Sequence, residues 1–223
     1  MSQFCVLVAS SDSRKDIFDV CFANAGRVWA DCNWPRYVGF NSPVMPAGNF
    51  QVLIAPDAGG DWCLQVKRYV DLLPSDIRYI LLMVEDVLFM QPVNAKLLDD
   101  IAWKMSSAAL GYVRLVPVRR NWLGRIADSM MDFADGYTAD QFREIDKSEP
   151  YYSSTEMVIW RRDYLLKQLS GATDAWAFEH LTSTQAHWAV KEPVFEQHQV
   201  VEKGRWNWDA PKFVRQAGSV WHY

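Results

Sequence analysis

Short, wholly apolar runs alternate with amphipathic stretches along the first half of this chain, and that alternation constrains the fold more than any single motif. Phe4–Ala9 (FCVLVA) is a continuous apolar run containing β-branched residues. A polar turn, SSDSRKD, follows it, and then Ile17, Phe18, Val20, Cys21 and Phe22. The pattern predicts a strand buried on both faces, a loop and a helix. RYVGF (36–40) and QVLIA (51–55) read as two further strands, 62–73 as a helix stopped by Pro74, and YILLMV (79–84) as the strongest strand. Pro92 and Asn94 open a helix through Leu97, Leu98, Ile101, Ala102 and Met105, and GYVRLV (111–116) returns as a strand. Strands alternating with helices predict an α/β fold built on a mostly parallel sheet.

The pattern loosens after residue 116. Residues 121–133 read as helical, 134–150 as polar and acidic, 151–160 as extended, and 161–169 and 176–190 as helices. The loops are too short for a flexible linker, so 223 residues are expected to form one domain. Within it, 1–116 would be a nucleotide-binding half and 117–223 an irregular acceptor-side half, a division that rests on fold-level analogy.

Charge and targeting signals narrow the function classes. With 23 Lys+Arg against 27 Asp+Glu, a formal charge of -4 and no basic block, the chain lacks the electrostatic footprint of a nucleic-acid binder. Its start has no basic n-region, and the longest apolar stretch, 79–84, is far short of a membrane-spanning helix. Cys5, Cys21, Cys32 and Cys63 contain no C-x-x-C pair and read as reduced thiols. A cytoplasmic location is the expectation, and peripheral membrane association stays open. Eleven Trp, nine Tyr and eleven Phe fit either a large core or flat contacts to sugars and bases.

Several chemistries lack their motifs. G-x-x-x-x-G-K-[ST], G-x-G-x-x-G, H-E-x-x-H and G-x-S-x-G are all absent. The four histidines, His180, His187, His198 and His222, lack zinc-site spacing. Glu85-Asp86 directly follows the YILLMV strand. In an open parallel sheet, ligands bind beyond the carboxyl ends of the strands, so two acids there suit a divalent cation and a diphosphate; they would equally serve as strand-ending caps. In YYSSTEMVIWRRDYLLKQLSGATDAWAFE (151–179), Glu179 stands beside Trp176 and Phe178. A carboxylate so flanked is expected to lose part of its hydration, which suits a general base; a helix-terminal acid favoured by the macrodipole is the alternative. In the tail, VVEKGRWNWD, Lys203 and Arg205 flank a glycine beside Trp206 and Trp208, as an anion-facing element or a plain edge strand would.

In that order the segments resemble bacterial glycosyltransferases of the GT-A fold that serve capsule and lipopolysaccharide synthesis. VEDVLFMQPVN (84–94) is similar to their Leu-Asp-Asp-Phe-Phe-Leu and Pro-Val-Asp pattern, Val113-Arg114-Leu115 to their Arg-Leu strand, and SSTEMVIWRRDYLL to Ser-Leu-Gln followed by Ile-Trp-Lys-Arg-Glu-x-Leu. Ala175 to Glu179 is similar to Pro-Trp-x-Phe-Glu, and Lys203 to Trp206 to Lys-Gly-Lys-Trp. Here the first acid is Glu and the Phe pair is Val87-Leu88. The resemblance implies a GT-A-like, Rossmann-like sheet flanked by helices. It implies a nucleotide-sugar donor, a saccharide or lipid-linked saccharide acceptor, and Mn2+ or Mg2+ at Asp86 and Glu85. It places Ser10, Ser11 and Asp12 near the base and ribose, Lys203 and Arg205 near the leaving diphosphate, and Glu179 as the base of an inverting transfer. A non-catalytic sugar-binding or scaffold protein and a sugar-phosphate nucleotidyltransferase are the alternatives. Trp160, Trp176 and Trp206 fall in the resembling segments and are expected to shape the cleft; the other eight tryptophans are expected to pack.

Overall fold

A computed structural model of the chain describes residues 3–117, 142–149, 151–202 and 204–218. The helix expected over 121–133 lies outside these residues, as does most of the polar stretch after it. In chain order the first half forms β1 (Phe4–Ala9), α1 (Lys15–Phe22), α2 (Ala25–Val28), β2 (Arg36–Phe40), β3 (Gln51–Ile54), α3 (Trp62–Leu72), β4 (Tyr79–Val84), β5 (Val87–Phe89), α4 (Ala95–Ser107) and β6 (Tyr112–Arg114). The second half adds β7 (Phe142–Glu144), β8 (Val158–Arg161), α5 (Arg162–Leu169), α6 (Ala175–Glu179), β9 (Trp188–Val190), β10 (Gln197–Gln199), β11 (Val201–Glu202), β12 (Arg205–Trp206) and α7 (Ala210–Gln216).

The main sheet runs β3-β2-β1-β4-β8-β6-β9-β7. Its first four strands are parallel; β8 is antiparallel to β4 and β6, β9 is parallel to β6, and β7 closes the edge antiparallel. This is the expected α/β architecture, a mostly parallel central sheet flanked by helices. The continuous apolar run of β1 is explained by burial on both faces. Phe4, Val6 and Val8 enter one core with residues of α1, α2, α4 and α7, while Cys5, Leu7 and Ala9 enter the other with α3, α5 and Phe178 of α6. Local signals agree with packing. Leu64 N donates to the Asp61 carboxylate at 2.8 Å to start α3, and Leu97 N donates to Asn94 Oδ1 at 3.0 Å to start α4. Each such cap is worth ~1 kcal/mol.

Register, more than any one element, positions the site. Ala9 lies opposite Gly39 on β2 and Val84 on β4, and Phe40 lies opposite Ile54 on β3. Hence Ser10, Asn41 and Glu85 all leave the sheet at the same end. Gly39 is required there by close approach: a Cβ on it would fall 2.3 Å from the Tyr69 ring. Tyr69 OH donates to the Ser10 carbonyl at 3.0 Å, so the ring props the loop after β1. Gly39→Ala is therefore expected to push Tyr69 off Ser10 and to cost ~1–3 kcal/mol. In thermal denaturation that is a fall of roughly 5 °C; an unchanged melting temperature would contradict this role for the glycine.

Two expectations for the second half are corrected. Residues 176–190 do not form one helix. Asp174 caps a five-residue α6 by accepting from Ala177 N at 2.8 Å, and His180 N already bonds Ala177 O at 3.2 Å, which tightens and ends the helix. Ser183 then accepts from Gln185 N at 3.0 Å, a local turn that competes with helix, and Ala189 and Val190 are buried in β9 instead. Residues 151–160 are extended only from Val158, because Tyr151 and Met157 hold positive φ of 57° and 52°. All four cysteines are free and buried. Among the described residues no helix is long and apolar enough to cross a membrane.

Candidate active site

A cleft of about 810 Å³ opens at the carboxyl end of the parallel strands, a size suited to a ligand larger than a single sugar. Its floor is Ala9 to Arg14 after β1, Asn41 after β2, and Val84 to Asp86 after β4. Asp61, Trp62, Gln65 and Tyr69 of α3 and its cap form one wall; Thr155, Glu156, Glu179 and Gln199 form the other. Of the residues named from sequence, Ser10, Ser11, Asp12, Glu85, Asp86 and Glu179 line this one cleft. Lys203 lies outside the described residues. Arg205 does not line it; it lies in a separate shallow pocket with Glu202, Trp206, Asn207 and Trp208. The turn between β11 and β12 does approach the cleft, since a Cβ on Gly204 would lie 3.7 Å from the Arg14 guanidinium.

The cleft is strongly acidic. Asp12, Asp57, Asp61, Glu85, Asp86, Glu156 and Glu179 line it, against Arg14 as the one cationic side chain among its described residues. Glu85 Oε1 sits 3.8 Å from Arg14 Nε, yet burial, reinforced by the neighbouring Asp86, pushes its carboxyl up to about 7. Burial also raises Asp86, opposed by the Gln199 amide, which donates to Oδ2 at 3.2 Å. Glu156 is pushed up to about 7 by burial and by the charges of Asp86 and Glu179, with Arg114 acting the other way. Two carboxyls pushed up to about 7, chiefly by burial, mark a site short of positive charge.

Three buried polar atoms on the cleft wall lack hydrogen-bond partners among the described residues: Ser10 Oγ, Gln65 Nε2 and Asp86 Oδ1. Buried polar groups are nearly always paired, so these three atoms leave hydrogen-bonding capacity for a ligand in the cleft. Asp12 differs. Its Oδ1 accepts from Asn41 N at 2.8 Å and Ser42 N at 3.2 Å, and its Oδ2 accepts from the Ser42 hydroxyl at 2.6 Å, which holds its carboxyl below the usual range. It clasps the loop after β2 to the loop after β1.

Glu179 does not sit between two apolar rings. Phe178 turns into the core, Trp176 turns to solvent, and Glu179 Oε1 accepts from Thr155 N at 3.0 Å and Thr155 Oγ1 at 2.8 Å. These two donors fix the carboxylate in the cleft that Asp86 also lines. Trp160, expected in the cleft, is fully buried in the core; Trp62, expected only to pack, lines the cleft and leans on Phe178 at 5.6 Å. Trp29 and Trp34 are buried as expected, whereas Trp103 and Trp208 are exposed; Trp122 and Trp221 lie outside the described residues.

Glu156 was not legible as a site residue, because SSTEM reads as a polar loop. Its position implies a pH dependence. A carboxyl whose folded-state pKa is raised from 4.5 to about 7 favours folding while protonated, and that contribution fades as pH rises from about 4.5 through 7. The ligand-free protein should therefore lose stability between pH 5 and pH 8, with Glu156 contributing roughly 2–3 kcal/mol of the loss. Glu156→Gln should flatten the profile and melt roughly 5 °C above wild type at pH 8. Parallel profiles for the two proteins would contradict the burial of that charge.

No protein-family profile and no curated protein matches the chain. Among solved structures it is similar to Staphylococcus aureus TarS, with 11% identity over 85% of this chain and 36% of that chain, at a TM-score of 0.45. It is also similar to core-mannan synthase A from Aspergillus fumigatus in its Mn/GDP form, with 12% identity over 83% of this chain and 68% of that chain, at a TM-score of 0.44. The chain spans about a third of the length of TarS.

Proposed function

We propose that the chain is a GT-A-like glycosyltransferase that moves a sugar from a nucleotide-sugar donor to a hydroxyl of a saccharide acceptor, with inversion, in surface-polysaccharide synthesis. The observation that carries this reading is the convergence of the orphaned Asp86 oxygen, the raised Glu85 and the Thr155-held Glu179 on one cleft beyond the parallel strands. A nucleoside diphosphate brings negative charge to a cleft already lined by carboxylates, so it needs an accompanying cation.

The residues present fit a divalent cation held in part by the substrate. Asp86 Oδ1 is buried and unpartnered, and Glu85 is adjacent. Among the described residues no three His, Cys, Asp or Glu side chains stand together as a cage, which leaves the remaining positions to phosphate oxygens and water, the habit of Mg2+ and Mn2+ in phosphate sites. Asp86, with Glu85, would hold it; when bound, it neutralises charge that develops on the departing diphosphate.

The chain's own residues supply the rest. Glu179, aimed by Thr155, takes the proton from the acceptor hydroxyl as its oxygen forms a bond to the anomeric carbon. The bond from that carbon to the diphosphate oxygen breaks, and the nucleoside diphosphate leaves with the electron pair. Attack from the face opposite the leaving group inverts the centre. Ser10 and Gln65 offer unpaired polar atoms, and Trp62 an aromatic face, to the nucleotide or its sugar. The test is the anomeric coupling of the product by NMR: inversion supports Glu179 as base, and retention removes it from that role.

A further inference from the structure

We propose that Tyr151, Trp176 and His180 form a saccharide-binding platform beside Glu179, on which an acceptor pyranose stacks its apolar face. The word acceptor rests on the glycosyl-transfer reading; the platform itself does not.

Trp176 is 63% exposed and Tyr151 44%. Their rings meet edge to face with centroids 5.9 Å apart, and His180 joins them, 4.4 Å from Trp176 and 5.7 Å from Tyr151. His180 Nδ1 lies 2.7 Å from the Trp176 carbonyl oxygen, which fixes the imidazole against the indole. Trp103 and Trp208 are more exposed still, but among the described residues neither meets another aromatic ring. Exposed aromatic surface gathered into a cluster is the kind that marks a binding site. A pyranose presents C–H bonds on one face and hydroxyls at its rim. The negative faces of the rings suit the first, and the tyrosine hydroxyl and imidazole suit the second.

Two chain segments tie the cluster to the cleft. Ser153 N donates to the Glu179 carbonyl at 3.2 Å, and Thr155 holds the Glu179 carboxylate, so residues 151–155 run along α6 with rings at one end and the carboxylate at the other. Four residues of extended chain span at most ~14 Å, which keeps the platform within a short saccharide's reach of Glu179. Tyr151 is held there against its own preference. Its φ of 57° is costly for a residue with a side chain. The buried Arg114 donates to its carbonyl oxygen, and that guanidinium is anchored in turn by donating to Tyr112 OH at 3.2 Å.

The test uses the whole chain without donor, titrated with maltotetraose, cellotetraose and chitotetraose while the Trp176 indole N–H is followed by NMR, assigned by its loss in Trp176→Phe. At least one saccharide should shift that resonance. Trp176→Ala should weaken the same saccharide at least tenfold with little change in melting temperature, and Trp208→Ala should leave binding unchanged. No shift with any of the three, or equal binding by Trp176→Ala, overturns the platform. Nucleotide-sugar binding is measured separately: saccharide binding without it supports the platform and removes the transfer reading, and the reverse result removes the platform alone.

Discussion

Glu179→Gln should lower turnover by ~10²–10⁴-fold, the range a positioned general base contributes, while nucleotide-sugar affinity and melting temperature stay near wild type. The substitution keeps the shape of the side chain. The amide oxygen can still accept from Thr155 N and from the Thr155 hydroxyl, which now hold Oε1 at 3.0 and 2.8 Å, so the segment 151–155 should remain in place. What is lost is the ability to take a proton from the acceptor. Steady-state kinetics against acceptor concentration separate the two roles, because loss of a base lowers kcat whereas loss of a contact raises KM. Activity within tenfold of wild type would remove Glu179 as the base.

Asp86→Asn should act in two directions at once. The ligand-free protein should become more stable above neutral pH, since a buried carboxylate with an unpaired Oδ1 and a raised pKa is replaced by a neutral amide. Gln199, which donates to Oδ2 at 3.2 Å, can keep a bond to the amide oxygen. Nucleoside diphosphate binding in the presence of Mn2+ should weaken by ~100-fold or more, because even residues behind a metal ligand commonly affect affinity 10–100-fold. Calorimetric titration with and without Mn2+ reads the second effect and thermal denaturation the first. Unchanged affinity in Mn2+ would mean that this carboxylate does not serve the diphosphate.

How much of this was legible in the sequence depends on where the information lies. β1, β2 and β4 were readable because each is buried on both faces, and a strand so buried must be a continuous apolar run; β3, at the sheet edge, is half exposed and was readable from its β-branched, turn-bounded run. The acids after YILLMV followed from the same reasoning, since the end of a buried strand in an open sheet is where a cleft forms. Register was not readable: that Ala9, Gly39 and Val84 end level depends on pairings between distant residues, as does the contact of Gly39 with Tyr69. Glu156 was missed because no local pattern announces that its loop, in which Met157 takes a positive φ before β8, folds into the cleft wall. Residues 176–190 were misread because Phe178, Leu181 and Trp188 fall at helical spacing, whereas sheet pairing captures Trp188–Val190. Trp62 and Trp160 exchanged expected roles for the same reason; an indole's fate is decided by what packs above it.

The most direct test of the central claim is thermal denaturation of the intact chain against a panel of nucleoside diphosphates and nucleotide sugars, each with and without Mn2+. At least one nucleotide sugar at ~100-fold above its Kd should raise the melting temperature by roughly 5–10 °C in Mn2+, less without it, and not in Asp86→Asn. No shift with any nucleotide or nucleotide sugar in either condition would contradict it.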